Sequence, residues 1–161
     1  MAIDGDIKFS SFSGSCEIER SKDRTLFNAF SFLTERPGDP GDIRIRSRHS
    51  HKPITVTCGI DKAAPEVWSH LCRGRKIDEV EIRLWHNNVE GVQINYTTFT
   101  LTNARIVGCE FTQLHNLKSN GAEMATEAMV EYSIAFESIV VTYDDGSGAV
   151  EAVDSWIKSR V

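Results

Sequence analysis

The sequence is poor in the devices that usually announce an activity. It holds four prolines and four cysteines in 161 residues, and Cys16, Cys58, Cys72 and Cys109 include no C-x-x-C pair. That spacing fits neither a zinc ribbon nor a dithiol redox motif, so the cysteines are expected to be free thiols serving as small hydrophobes. No apolar run approaches the roughly 18 residues of a membrane-spanning helix, and no membrane insertion is expected. The opening Met1-Ala2-Ile3-Asp4-Gly5-Asp6-Ile7 lacks the basic and apolar regions of a cleaved export signal. Folding in the cytoplasm follows, with any export by a route that reads no such signal. Positive charge is also in deficit: 18 basic residues face 23 acidic ones, for a net charge of −5. A nucleic-acid backbone is therefore a poor partner.

Catalytic signatures are missing too. There is no G-x-S-x-G elbow, no P-loop and no dinucleotide fingerprint, so neither an enzyme nor a cofactor is expected. His49 and His51 sit two apart and would share a strand face, but a zinc site needs further ligands that local spacing does not supply. The reading is no metal site, with two polar residues opening a strand before Pro53. Two of the many carboxylates could converge as an acid/base pair, although chance proximity is expected among 23 of them.

What the sequence does have is period-2 alternation, the mark of half-buried strands. Val80, Ile82 and Leu84 alternate with charges, and Ile54, Val56, Cys58 and Ile60 alternate with threonines. The apolar phase slips twice. Val92, Ile94 and Tyr96 give way to Phe99 and Leu101, which predicts a bulge or bend near Thr97-Thr98. Val130, Tyr132, Ile134 and Phe136 give way to Ile139, Val141 and Tyr143, which predicts a bent strand or two strands meeting near Glu137-Ser138. Asp145-Gly146 supplies a hairpin turn.

One segment has helical period. Val67, Trp68, Leu71 and Cys72 fall on one face between Asp61 with Pro65 at the start and Gly74 at the end, about three turns. Loops are expected at Arg36-Pro37-Gly38-Asp39-Pro40-Gly41-Asp42 and at Leu117-Lys118-Ser119-Asn120-Gly121. Arg44, Arg46 and Arg48 alternate with Ile43 and Ile45. This basic stripe is either a contact surface for an acidic partner or second subunit, or a solvated strand face. The fold expected is mainly β: a single domain over residues 1–161, an antiparallel β-barrel of two packed sheets with one short flanking α-helix.

Several motifs in order carry a resemblance. His51-Lys52-Pro53-Ile54-Thr55-Val56 is followed by Asp61-Lys62-Ala63-Ala64-Pro65 and Gly74. Then come the strand ending in Trp85, Tyr96 with Leu101-Thr102-Asn103-Ala104-Arg105-Ile106, Phe136-Glu137-Ser138-Ile139 with Thr142-Tyr143, and Asp154-Ser155-Trp156. Together they resemble the Hcp family, the tube protein of bacterial type VI secretion. Two departures stand out: Phe136 replaces the usual Tyr, and the segment from Ser10 to Arg24 matches no family element. The resemblance implies hexameric rings of one chain that stack into a hollow tube, with small effector proteins in the lumen. It also implies a spike protein at the tip, a contractile sheath outside, and secretion by contraction. It points to the loop at 36–42 as the contact between rings. Only Ile157 to Val161 follow the D-x-W motif, so no fused toxin domain is expected. Two other readings compete: a monomeric barrel holding a small apolar ligand in its mouth, and a hydrolase built on two carboxylates.

Overall fold

A computed structural model describes residues 4–36, 41, 48–113 and 128–155. Pro37, Gly38, Asp39, Pro40, Asp42, Arg44, Arg46, the second predicted loop and Trp156 lie outside the described residues. The strands are β1 (Asp4–Phe9), β2 (Thr25–Ser31), β3 (Thr34–Glu35), β4 (Ser50–His51), β5 (Ile54–Gly59), β6 (Lys76–Asn87), β7 (Gln93–Thr112), β8 (Met129–Ala135), β9 (Ser138–Asp144) and β10 (Ala149–Ser155). Helix α1 spans Ala64–Arg73, and one 3-10 turn spans Glu19–Ser21.

Six strands close an antiparallel barrel. β7 pairs β6, then β1, β2, β5 and β8 follow in order, and β8 returns to β7. Strand β7 makes this possible. At 20 residues and about 3.3 Å each, it is long enough for one edge to serve two partners in series. Residues 97–102 pair with β9, residues 105–112 pair with β8, and β6 runs along the opposite edge. The barrel half and the wing formed by β9 and β10 thus share one strand. The hand-over falls at Asn103, whose φ of 52° is left-handed, a conformation that Asn tolerates far better than a branched residue.

Both phase slips have a structural cause. Leu84 pairs Thr97 while Trp85 pairs Asn95, which leaves Tyr96 as the extra residue of a bulge, one position from the expected site. The second slip is two strands meeting at a corner: β8 belongs to the barrel and β9 to the wing, with Phe136 and Glu137 between them.

The core is the inward face of the barrel. Ile7, Ile54, Val56, Cys58, Val80, Ile82, Leu101, Val130, Tyr132 and Ile134 are fully buried. Each such aliphatic side chain contributes about 1.5–3 kcal/mol relative to an exposed position. In a barrel of this few strands side chains fill the interior, and here they form one continuous apolar cluster. Gly5 belongs to this packing: a Cβ there would lie 2.1 Å from the Phe27 ring.

Helix α1 begins and ends where expected. Asp61 Oδ1 accepts the Ala63 N–H at 3.0 Å, Pro65 lies in the first turn, and Gly74 closes the helix with φ 63°. Its apolar face is narrower than the spacing suggested. Val67 is buried and Leu71 packs on the core, whereas Trp68 and Cys72, one step further round, are exposed. Ile60 also leaves the pattern, because β5 ends at Gly59 and the chain turns outward. Among the described residues, no helix is long and apolar enough to cross a membrane.

Candidate functional site

Several of the motif residues fall into three clusters, each a junction between chain segments. The first is the root of the excursion that runs between β3 and β4. Thr34 pairs His51 and Glu35 pairs Ser50, so the two ends of residues 36–49 are held side by side. Lys52 donates its backbone N–H to the Leu33 carbonyl at 2.9 Å, and its ammonium lies 3.5 Å from Glu35. The predicted loop at 36–42 and the Arg44–Arg48 stripe both belong to this excursion, of which Arg36, Gly41 and Arg48 are described and exposed.

His51 is the pivot of this root. Its ring stacks on Phe32 and tilts against Phe136, with centroids 5.8 and 5.4 Å away. Nδ1 lies 2.8 Å from the Thr34 hydroxyl, and Nε2 lies 2.5 Å from Asp154 Oδ2. The Nε2 of His49 meets the same Asp154 oxygen at 2.5 Å. Burial alone would push the Asp154 carboxyl up, but the hydrogen bonds from His49 and His51 hold it below the usual range. The first and last of the quoted motifs, H-K-P and D-x-W, therefore meet in space through His51 and Asp154. Pro53 follows at the exposed start of β5, where a missing N–H costs little.

The second junction gathers around Asp6, which the sequence reading did not select. Asp6 is fully buried on the side of β1 away from the core. It accepts hydrogen bonds from Ser21 Oγ at 2.7 Å, Arg24 Nη1 at 3.1 Å and Trp85 Nε1 at 2.8 Å. Arg83 grips it with two nitrogens, at 2.9 and 3.0 Å. Arg83 also donates to the Arg20 carbonyl at 2.7 Å, and the guanidinium groups of Arg20 and Arg83 each sit 4.9 Å from the Trp85 ring centroid. The segment 10–24 is thus latched across the outside of the sheet by one buried carboxylate. Asp61 holds the same segment from the other side, accepting Thr25 Oγ1 at 2.7 Å and the Ser15 N–H at 3.2 Å. The signal for this network was a lone aspartate between Gly5 and Ile7, but its partners are 15 to 79 residues away.

The third junction is the β7 hand-over. Asn103 Nδ2 donates to Glu137 Oε2 at 2.8 Å, and the Glu137 N–H donates to the Thr102 carbonyl at 3.1 Å. Asn103 therefore ties the bend of β7 to the corner between β8 and β9. Tyr143 lies apart from all three junctions, exposed on β9 with its ring 6.4 Å from that of Tyr96.

None of these junctions has the chemistry of a catalyst. Burial pushes the Cys58 thiol up to about 12, helped by the nearby Asp61 charge, and burial raises Cys109 as well. A nucleophilic cysteine needs the opposite shift. The carboxylates displaced from their ordinary range, Asp145 and Asp154, are both held low, Asp145 by hydrogen bonds from Ser147. A general acid at neutral pH needs a raised carboxyl. Arg24 bridges the carboxylates of Asp6 and Glu81, pairing with both.

Comparison with known proteins gives one consistent answer. Residues 1–143 match the family described as "Type VI secretion system effector, Hcp". A curated relative, the "Major exported protein" of Pseudomonas aeruginosa, is 29% identical over 108 residues, which is 67% of this chain and 62% of the relative. The aligned part thus spans less than two thirds of that protein's length. Among solved structures, an Escherichia coli Hcp1 variant superposes with a TM-score of 0.78 at 18% identity, covering 97% of this chain and 99% of that one. The secreted protein Hcp3 of Pseudomonas aeruginosa gives 0.70 at 20% identity, covering 96% and 99%. At such identities the structures establish the shared barrel fold, and the family match over most of the sequence establishes kinship. The chain belongs to the Hcp family of type VI secretion proteins.

Proposed function

We propose that this chain is a structural subunit of a secretion tube, assembling head to tail into six-membered rings that stack around a lumen able to carry small effector proteins. Family membership carries the reading. A head-to-tail contact that closes after a fixed rotation makes a ring, and the wing offers a surface for it. β10 is the edge strand of the sheet, and Val150 and Val153 stand exposed on it. An apolar edge strand is a liability in a monomer and a ready contact for a second copy. The barrel interior supports the same reading over a ligand-holding module, because among the described residues it is occupied by one continuous apolar cluster.

In this scheme the excursion between β3 and β4, which carries the loop from Arg36 to Asp42, supplies the contact between rings. A spike protein at the tip, a contractile sheath around the tube, and export by contraction complete it. Negative-stain electron microscopy tests the assembly. Six-fold rings are expected from the wild-type chain, and replacing residues 37–42 by a short Gly-Ser linker should leave rings while abolishing stacks. Unchanged tubes in that variant would remove the loop from the scheme, and particles without six-fold symmetry in the wild type would remove the ring.

A further inference from the structure

We propose that His49, His51 and Asp154 form a binding site for one divalent first-row transition ion, with zinc the simplest occupant, which fastens β10 to the root of the excursion between β3 and β4.

Among the described residues these three form the one group of potential ligands placed to hold a metal, with one ligand atom from each lying within 4.8 Å of the others. The two histidines lie more than 100 residues before Asp154 in the chain. Both imidazole Nε2 atoms point at a single carboxylate oxygen from 2.5 Å. Ligand atoms around a four-coordinate zinc at about 2.0–2.1 Å stand roughly 3.3 Å apart. Each histidine–Asp154 pair would therefore open by roughly 0.8 Å around an ion, and the two partly exposed members can supply that movement. His49 is 31% exposed and Asp154 36%, whereas His51 is 8% exposed and fixed.

The surroundings suit a metal. A ligating histidine commonly uses its other ring nitrogen to hold a hydrogen-bond partner that sets the ring's orientation and tautomer. His51 has that partner in the Thr34 hydroxyl at 2.8 Å, and Phe32 and Phe136 fix the plane of the ring. Without an ion the Nε2–H of His51 donates to Asp154; an ion would displace that proton, and with Nδ1–H then donating to the Thr34 hydroxyl the Nε2 lone pair would face the cation. Two imidazoles and one carboxylate favour zinc, nickel, cobalt or iron(II) over calcium or magnesium, which prefer all-oxygen shells. Three protein ligands with solvent on the open side leave room for water to complete the coordination.

His49 and His51 are near neighbours in sequence, whereas the third ligand, Asp154, lies on β10. Joined by an ion, the group would clamp the edge of the wing to the base of the excursion. Function as a tube subunit does not depend on it, so the two proposals can fail separately.

The test uses the full chain without an affinity tag, stripped with chelator and titrated with zinc by calorimetry. The expected result is one ion per chain, weakened at least tenfold in H49A and in D154N, with a zinc-dependent rise of the thermal midpoint confined to the wild type. Both variants alter partly exposed side chains, so folding is less at stake than in H51A, where the ring is 8% exposed. Cobalt(II) supplies an independent reading. Weak visible bands without a thiolate charge-transfer band support the nitrogen and oxygen set. A strong thiolate band would overturn the proposal, since it would place the ion on cysteine. Equal zinc affinity in the wild type and both variants, or no zinc binding by the wild type, would overturn it equally.

Discussion

Replacing Asp6 by Asn isolates what the buried latch is worth. The carboxylate is fully buried, and both of its oxygens face donors from Ser21, Arg24, Arg83 and Trp85. Asn preserves the shape, yet whichever position its NH2 takes, it sets a donor against donors and removes the counter-charge of two mostly buried arginines. Breaking a buried pair while leaving its partner in place costs about 3–5 kcal/mol. Glu81 moderates the loss, because it already holds Arg24 at 2.5 Å and lies 3.9 Å from Arg83. The expected value is therefore near 3 kcal/mol, a large share of the roughly 5–15 kcal/mol that holds an ordinary domain together. For a chain of this length that lowers the thermal midpoint by about 6–12 °C. Urea denaturation followed by circular dichroism should show a reduced midpoint with an unchanged slope. Asp78→Asn, an exposed carboxylate on β6, serves as control and should stay within about 0.5 kcal/mol. A loss below about 1 kcal/mol for Asp6→Asn would refute the latch.

Three further outcomes follow from other positions. Asn103→Val should cost about 1–2 kcal/mol for the left-handed backbone at φ 52°, plus the lost bond to Glu137, while Asn103→Gly should lose less. Equal thermal midpoints for the two variants would contradict the hand-over argument. Gly5→Ala should destabilise by at least about 1–3 kcal/mol, because the new methyl meets the Phe27 ring at the β1–β2 pairing; a neutral result in urea melts would show that the ring yields. Alkaline pH should also weaken the fold. Burial raises the folded-state pKa of Cys58 to about 12 and raises Tyr132 as well. Their contribution is complete below the unfolded values and declines as pH rises from about 9 toward 12, by up to about 1.4 kcal/mol per pH unit for each group. Urea midpoints should fall along this window, less steeply in Cys58→Val, and an identical slope in that variant would contradict the assignment.

How much of this could be read from sequence depended on distance along the chain. Period-2 alternation revealed β5, β6, β8 and β9, because their inward residues feed one core and leave a local trace. The phase slips at Tyr96 and at Phe136-Glu137 were legible for the same reason. Strand β10 was not, since Val150 and Val153 face outward on an edge strand and carry no core pattern. The helix was placed correctly, but Trp68 and Cys72 were assigned to its inner face, because spacing gives an angle and not the width of the surface that covers it. The junctions were the least legible. Asp6 reaches Trp85 across 79 residues, and His49 reaches Asp154 across 105. Side chains that converge this way belong to separate strands, and no window of sequence contains both. The family motifs marked His51, Asp61, Trp85 and Asn103 as worth keeping. Geometry shows that each holds two chain segments together.

Native mass spectrometry of the full chain reports the ring itself. A six-membered ring gives a dominant species at six times the 18.0 kDa chain mass, persisting on dilution and showing six-fold symmetry by microscopy. A monomer that remains a monomer at high concentration, with the barrel intact by circular dichroism, would contradict it.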